Sequence, residues 1–243
     1  MAFDPSKYSA PKAKPLPVML LLDSSGSMSG VKMDTLNSAV RTMLDDFGDL
    51  SKNETDIVVS IIEFNNGAFR HCPFTSASQV NYQDLTAGGG TNMGQALKMA
   101  KDIIEDKEET PGNAYRPLII LVSDGMPNNG WETPLHEFVG GGRSQKCDRM
   151  AMAIGVDACK SVLEKFTEGT GHDVFEAHLA GDIKKFFKFV TMSVTQRSVA
   201  NNPNEVPQTP MPTPDSAGKP QPTATPQAAT QPGAPSSGEN EWF

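Results

Sequence analysis

The five apolar residues Val18-Met19-Leu20-Leu21-Leu22 run without interruption into Asp23-Ser24-Ser25-Gly26-Ser27-Met28-Ser29-Gly30. A strand that is apolar at every position has no face to give to water. It belongs in the middle of a sheet covered on both sides, which is the parallel sheet of an α/β protein. The acid that ends it therefore stands at the carboxyl end of a buried strand. Beyond it, Asp23, Ser25 and Ser27 occupy alternate positions, and extended backbone sends alternate side chains the same way. Gly26 and Gly30 let such a loop turn tightly. Three oxygen donors converging from a glycine-bearing loop suit Mg2+ or a similar hard cation.

The remaining pattern alternates strand and helix. Leu36, Ala39, Val40, Met43, Leu44 and Phe47 fall at helical spacing and predict a helix over 32–50. A strand is predicted over 56–64. Asn65-Asn66-Gly67 then reads as a hairpin turn that tolerates positive φ, leading into an antiparallel edge strand over 68–74. The run Gly88-Gly89-Gly90-Thr91-Asn92 precedes a helix whose stripe is Met93, Ala96, Leu97, Ala100, Ile103 and Ile104. A second wholly apolar strand, 117–123, ends in the turn cluster Ser123-Asp124-Gly125-Met126-Pro127. A short helix at 131–139, a strand at 149–156, a helix near 158–167, a strand near 173–176 and a last helix from 182 to about 194 complete the order. The expected fold is a doubly wound, mostly parallel sheet with one antiparallel edge strand and helices on both faces.

Three domain segments are expected in the 243 residues: a flexible arm over 1–15, a folded domain over 16–198, and a disordered tail over 199–243. In the tail Pro, Thr, Gln, Ala and Ser replace the apolar periodicity, and too little apolar surface remains to offset the ordering entropy. It carries three Thr-Pro pairs, at Thr209, Thr213 and Thr225, where phosphorylation could recruit a reader domain. The formal net charge of −8, with no basic stretch, argues against nucleic acid as a partner. Nothing approaches the ~20 apolar residues of a membrane span, and no signal peptide is visible. The three cysteines, Cys72, Cys147 and Cys159, have no metal-ligand spacing and read as free thiols in a reducing compartment. A cytoplasmic protein is the expectation.

Oxygen donors thus sit in three loops: Asp23, Ser25 and Ser27 after the first strand, Thr91 after the glycine run, and Asp124 after the second apolar strand. In open parallel sheets, ligands bind beyond the carboxyl ends of strands where strand order reverses, and the common doubly wound order makes Asp23 and Asp124 neighbours there. Here the chain resembles a von Willebrand factor A domain, over about residues 15–198. The resemblance implies a metal-ion-dependent adhesion site. Ser25, Ser27 and Thr91 would coordinate Mg2+ (or Mn2+ or Ca2+) through their hydroxyls, and Asp23 and Asp124 directly or through water. It implies a protein partner that presents an Asp or Glu to the metal. Lys14-Pro15-Leu16-Pro17, Gly89-Gly90-Thr91, Arg116-Pro117-Leu118-Ile119 and Lys185-Phe186-Phe187-Lys188-Phe189-Val190 are similar, more narrowly, to bacterial TerY-type proteins. That subgroup is associated with tellurium resistance and stress responses, often beside a Ser/Thr kinase and a PPM-type phosphatase.

No enzymatic activity is expected. A haloacid-dehalogenase-like, Mg-dependent phosphotransferase needs a second acid where Ser25 stands. The glycine run is followed by no Gly-Lys-Ser/Thr, so it is not a P-loop. In Gly26-Ser27-Met28-Ser29-Gly30, Met28 holds the position a nucleophile would need. The histidines at 71, 136, 172 and 178 have no zinc spacing. The alternative to metal-dependent docking is a metal-independent scaffold that binds through its tail.

Overall fold

The computed structural model describes residues 14–50, 55–155, 158, 160–206 and 210–215. Its strands are β1 (Lys14–Asp23), β2 (Thr55–Phe64), β3 (Ala68–Ser76), β4 (Leu118–Ser123), β5 (Asp148–Ile154) and β6 (Phe175–Ala177). Its helices are α1 (Val31–Leu50), α2 (Met93–Glu105), α3 (Glu132–Gly140), α4 (Lys160–Thr167) and α5 (Ala180–Ser198). The strands form one sheet in the order β3-β2-β1-β4-β5-β6. Every pairing is parallel except β2 with the edge strand β3.

Alternation along β1 builds both halves of the core. Leu16, Val18, Leu20 and Leu22 point into one cluster, closed by α1 and α5 through Leu36, Val40, Phe47, Phe186 and Val190. Met19 and Leu21 point into the other, closed by α2, α3 and α4 through Leu97, Phe138 and Phe166. All six of these β1 side chains are fully buried. Each such burial contributes about 1.5–3 kcal/mol, so two-sided coverage is what holds this strand at the centre.

The boundaries depart from the sequence pattern in three instructive places. β1 begins at Lys14, where Lys14 and Pro15 pair with Thr55 and Asp56, so the last two residues of the expected arm belong to the sheet. β4 joins β1 only from Val18 onward. Pro15 and Pro17 therefore sit where the β4 side of β1 carries no ladder, the one place a strand tolerates a missing N–H. The β2–β3 hairpin forms where expected, yet Gly67 is not among the glycines with positive φ. A three-residue connection, closed by Asn65 N donating to Gly67 O at 2.9 Å, removes that requirement. A Cβ at Gly67 would lie 3.3 Å from the tip of the exposed Phe69 ring, a close contact that a small shift of that ring relieves.

The third departure is at α5, which starts two residues before Asp182 and runs through Ser198. The Asp182 carboxylate accepts the amides of His178 and Leu179, both at 3.0 Å, and so caps the helix start. Past α5, the described part of the expected tail lies against the domain. The buried Arg197 donates from Nε to Pro203 O at 2.9 Å. Asn204 Oδ1 accepts the Arg116 amide at 2.7 Å, and Met211 packs on the α1–α5 core. Asp215 returns to the beginning of α5, donating its amide to Asp182 Oδ1 at 2.7 Å and pairing with Lys185 at 2.5 Å. Low hydrophobicity conceals this anchoring, because it uses backbone carbonyls, a polar cap and one methionine. The rest of the expected tail, with Thr209 and Thr225, and most of the arm lie outside the described residues. Among the described residues no helix is long and apolar enough to cross a membrane.

A chain ended after Val199 is expected to lose about 1–3 kcal/mol of stability, because Arg197 keeps its buried charge and loses the Pro203 acceptor. A chain ended after Asp215 is expected to match the full-length protein. Urea melts of the three proteins test this, and coincident curves for the Val199 and Asp215 truncations would refute the anchoring.

Candidate metal centre

β1 and β4 run side by side in register, with Leu22 opposite Val122. Asp23 and the Ser123-Asp124 pair therefore emerge at the same edge of the sheet. From there a continuous hydrogen-bonded chain crosses the crevice. Asp23 Oδ2 accepts Ser123 Oγ at 2.6 Å, and Asp23 Oδ1 accepts the Ser25 amide at 2.8 Å. The Ser25 and Ser27 hydroxyls lie 3.0 Å apart, and Ser27 Oγ donates to Asp124 Oδ1 at 2.7 Å. Asp23, Ser25 and Asp124 are buried while Ser27 is exposed, so the group is walled by protein and open on one side. Ser24, at the intervening position, turns the other way and donates to Glu63 Oε1 at 2.6 Å. Alternation along extended backbone accounts for both directions.

Thr91 is carried to this wall by its loop. The loop is fastened to the one after β1 by Gly88 N donating to Ser24 O at 2.8 Å and Gly26 N donating to Gly89 O at 3.0 Å. It is fastened to the loop after β4 by Asn128, whose amide donates to Thr91 O at 2.8 Å. Thr91 is buried, and the next residue, Asn92, caps α2 by accepting the Gln95 amide at 3.3 Å. Gly89 must be glycine. Its φ is +75° and a Cβ would stand 2.7 Å from the Asn66 side chain, which itself accepts the Gly90 amide at 2.8 Å.

Four of the five sequence-predicted residues, Asp23, Ser25, Ser27 and Asp124, thus share one bonded chain, and Thr91 stands in the adjoining loop tied to both others. Sequence reasoning missed two participants. Ser123, read only as part of a turn, fixes the second oxygen of Asp23. Lys32, on the first turn of α1, donates from Nζ to Asp124 Oδ2 at 2.6 Å and to Ser27 O at 3.3 Å. A signal for Lys32 existed: a lysine two residues past Gly30 begins a helix whose start must face the loop it follows.

The donor set fits a hard divalent cation. All five side chains offer oxygen, two of them as carboxylates. Among the described residues no three His, Cys, Asp or Glu side chains gather to hold a metal, so hydroxyls would have to supply most of the coordination. The electrostatics agree. Burial pushes the Asp23 carboxyl above the usual carboxylate range; hydrogen bonds from Ser123 and Ser25 pull it down, and neighbouring Asp124 adds to the rise. Of these two buried acids, Asp124 is paired with the Lys32 ammonium, whereas Asp23 is held by neutral donors alone. The described cysteines take no part, since burial pushes the Cys147 thiol up to about 12 and Cys72 lies on the edge strand. Cys159 lies outside the described residues.

Comparison with known proteins agrees with this architecture. Residues 18–126 match the family model of the von Willebrand factor type A domain. The matched stretch runs from β1 to the loop after β4 and so takes in the crevice just described. It is 28% identical over 179 residues to human inter-alpha-trypsin inhibitor heavy chain H4, covering 68% of this chain and 19% of that protein. To the bovine H4 chain it is 30% identical over 173 residues, covering 65% and 18%. It therefore spans about a fifth of the length of these curated relatives. Among solved structures, a von Willebrand factor type A protein from Catenulispora acidiphila superposes with TM-score 0.58 at 21% identity, covering 74% of this chain and 42% of that one. Mussel byssus proximal thread matrix protein 1, in a form with a zinc-occupied MIDAS motif, gives TM-score 0.57 at 18% identity, covering 73% and 47%.

The raised Asp23 pKa has a definite sign. The metal-free folded state holds the Asp23 proton more tightly than the unfolded chain does. The resulting stabilisation is present below the ordinary carboxylate pKa and is lost as pH rises through the raised value. Asp23→Asn cannot ionise. In EDTA, its melting temperature is expected to gain on the wild type as pH rises from the acid range to neutrality. A constant gap across that range would count against the buried, charge-poor site.

Proposed function

We propose that this chain is a divalent-cation-dependent protein-interaction module and not an enzyme. Asp23, Ser25, Ser27, Thr91 and Asp124 would hold the ion, which when bound offers a coordination position to a carboxylate from a partner. The observation that carries the reading is the bonded chain from Asp23 through Ser25 and Ser27 to Asp124, lying at the reversal of strand order where open sheets take their ligands. The residues divide the work. Asp23, braced by Ser123, sets charge at the floor. Ser25 and Thr91, both buried, would supply hydroxyls from within, and the exposed Ser27 would supply one from the open side.

Neutral hydroxyls and only two acids leave a dication under-neutralised, and that favours an Asp or Glu side chain as the last ligand. The surroundings suit a protein surface. Val31 and Met126 are exposed large apolar residues, at 69% and 66%, and each adjoins a segment bearing site residues. An acid flanked by apolar groups would meet both kinds of contact. The zinc-occupied MIDAS of the mussel thread protein, on a similar fold, supports a divalent ion here, and Mg2+ is the ion we propose. Phosphoryl transfer has less to recommend it, since Ser25 occupies the position where a second acid would serve as general acid or base.

The narrower part of the proposal is a cytoplasmic, TerY-like role in a tellurium-resistance or stress system with a Ser/Thr kinase and a PPM-type phosphatase as partners. It rests on the four sequence fragments resembling that subgroup, among them Lys14-Pro15-Leu16-Pro17 and Arg116-Pro117-Leu118-Ile119.

Thr91→Ala and Asp124→Ala are expected to weaken Mg2+ binding at least about tenfold in calorimetry while leaving the circular dichroism spectrum intact. Partner capture on the immobilised protein should disappear in EDTA and in Thr91→Ala. Capture that survives both would favour the metal-independent, tail-mediated scaffold instead.

A further inference from the structure

Lys32 is the one positive charge bonded to the site's acids among the described residues. Its Nζ donates to Asp124 Oδ2 at 2.6 Å, and the carboxylate side chain it meets is wholly buried. The same ammonium donates to Ser27 O at 3.3 Å. Its third neighbour is the end of β5. A Cβ on Gly155 would lie 3.7 Å from Nζ, and Gly155 has φ +83°, so the backbone there leaves room for the lysine head. The ammonium is thus lodged among the loop after β1, the loop after β4 and the end of β5. The rest of the Lys32 side chain remains partly exposed, so the group has a way out.

We propose that Lys32 is a built-in counter-ion of this site, which a divalent cation must displace from Asp124 in order to bind. The inference rests on the metal-dependent reading above and adds to it a residue that sets the affinity. In the metal-free protein two buried carboxylates share a crevice, and a buried charge is tolerated only when paired. Asp23 is satisfied by two hydrogen bonds from neutral groups. Asp124 is satisfied by one neutral hydroxyl and the ammonium. An incoming dication needs the charge of Asp124 and meets a carboxylate already held. Its apparent affinity is therefore lowered by the fraction of molecules in which Lys32 is seated. Lys32 keeps the empty site folded and makes its occupancy depend on metal concentration, so the site rests in a closed ionic state and opens to metal by exchange of one cation for another.

The test is Mg2+ titration of the full-length chain by calorimetry, with Lys32→Met and Lys32→Gln removing the charge and Lys32→Arg retaining it. Lys32→Met keeps the apolar stem on an exposed first helical turn, and Lys32→Gln is a second charge-free variant should Met perturb packing. The charge-free variants are expected to bind Mg2+ about five- to tenfold more tightly than wild type, with Lys32→Arg within about twofold of it. In EDTA they are expected to melt below the wild type, and saturating Mg2+ should close the gap. Equal or weaker Mg2+ affinity in both charge-free variants overturns the counter-ion role while leaving the metal site standing. Absence of Mg2+ binding in wild type and variants alike, with folding intact, overturns the metal reading and the proposal together.

Discussion

The adjacency of β1 and β4 is the constraint on which the site depends. β1 is followed by α1 and β2 on one side, whereas β4 begins the run β4-β5-β6 on the other. The chain leaves these two strands in opposite directions, α1 packing on one face of the sheet and α2 to α4 on the other. A crevice opens between them at the carboxyl ends of the strands. The strands are locked by five paired positions from Val18–Leu118 to Leu22–Val122, which fixes where Asp23 and Asp124 emerge to within a residue. A one-residue slip would turn Asp23 to the other face and bring Ser24 inward. The buried alternation of β1 is therefore a positional device as well as a source of stability.

Much of this was legible in the sequence because the relevant signals are short-range. Two apolar runs, each ending in Asp within one or two residues, mark central strands and their carboxyl ends. The helical stripes of α1 and α2 recur at regular spacing, and the antiparallel edge strand follows an Asn-rich turn. Asp23, Ser25 and Ser27 were readable as a group because alternation needs only the residue number, and Asp124 because it follows the second apolar run. What was not legible depended on distance in sequence. Lys32 reaches Asp124 across 92 positions and Ser123 reaches Asp23 across 100. Ser123 carries no local pattern, and the place of Lys32 at a helix start says which loop it faces but not which acid it meets, until tertiary packing aims both.

The opposite end of the sheet shows the same principle with arginine. Arg149 is buried at the start of β5 and donates to the carbonyls of Phe166 at 2.7 Å, Glu168 at 2.7 Å, Gln145 at 3.0 Å and Cys147 at 3.3 Å. Arg197 gathers the Pro203 and Arg116 carbonyls in the same way. Burial lowers the Arg197 guanidinium to about 10, which still leaves it charged at neutral pH. Five fixed donors on a planar group let one side chain satisfy several loop carbonyls at once. This is why the segment after α5 is held although its composition suggests a free tail. Composition measures apolar burial, and here the anchor is a cation collecting backbone oxygens.

These two ends divide rigidity from exchange. At the arginine end, charges are neutralised by dipoles that have nowhere else to go, and the contacts are permanent parts of the fold. At the carboxylate end, the backbone is equally fixed, since Gly88, Gly26 and Asn128 fasten the three loops to one another through main-chain bonds of 2.8 to 3.0 Å. The side chains there are another matter. Ser27 is exposed and Lys32 is partly so, and both hold Asp124 with bonds that a solvent-facing group can release. A preorganised frame with exchangeable occupants costs little to rearrange, because only side-chain torsions change while the strands and glycine loop stay where packing put them. Such a site can respond to a cation and a partner carboxylate without the sheet moving, and that follows from placing buried acids at the ends of strands that cannot slip.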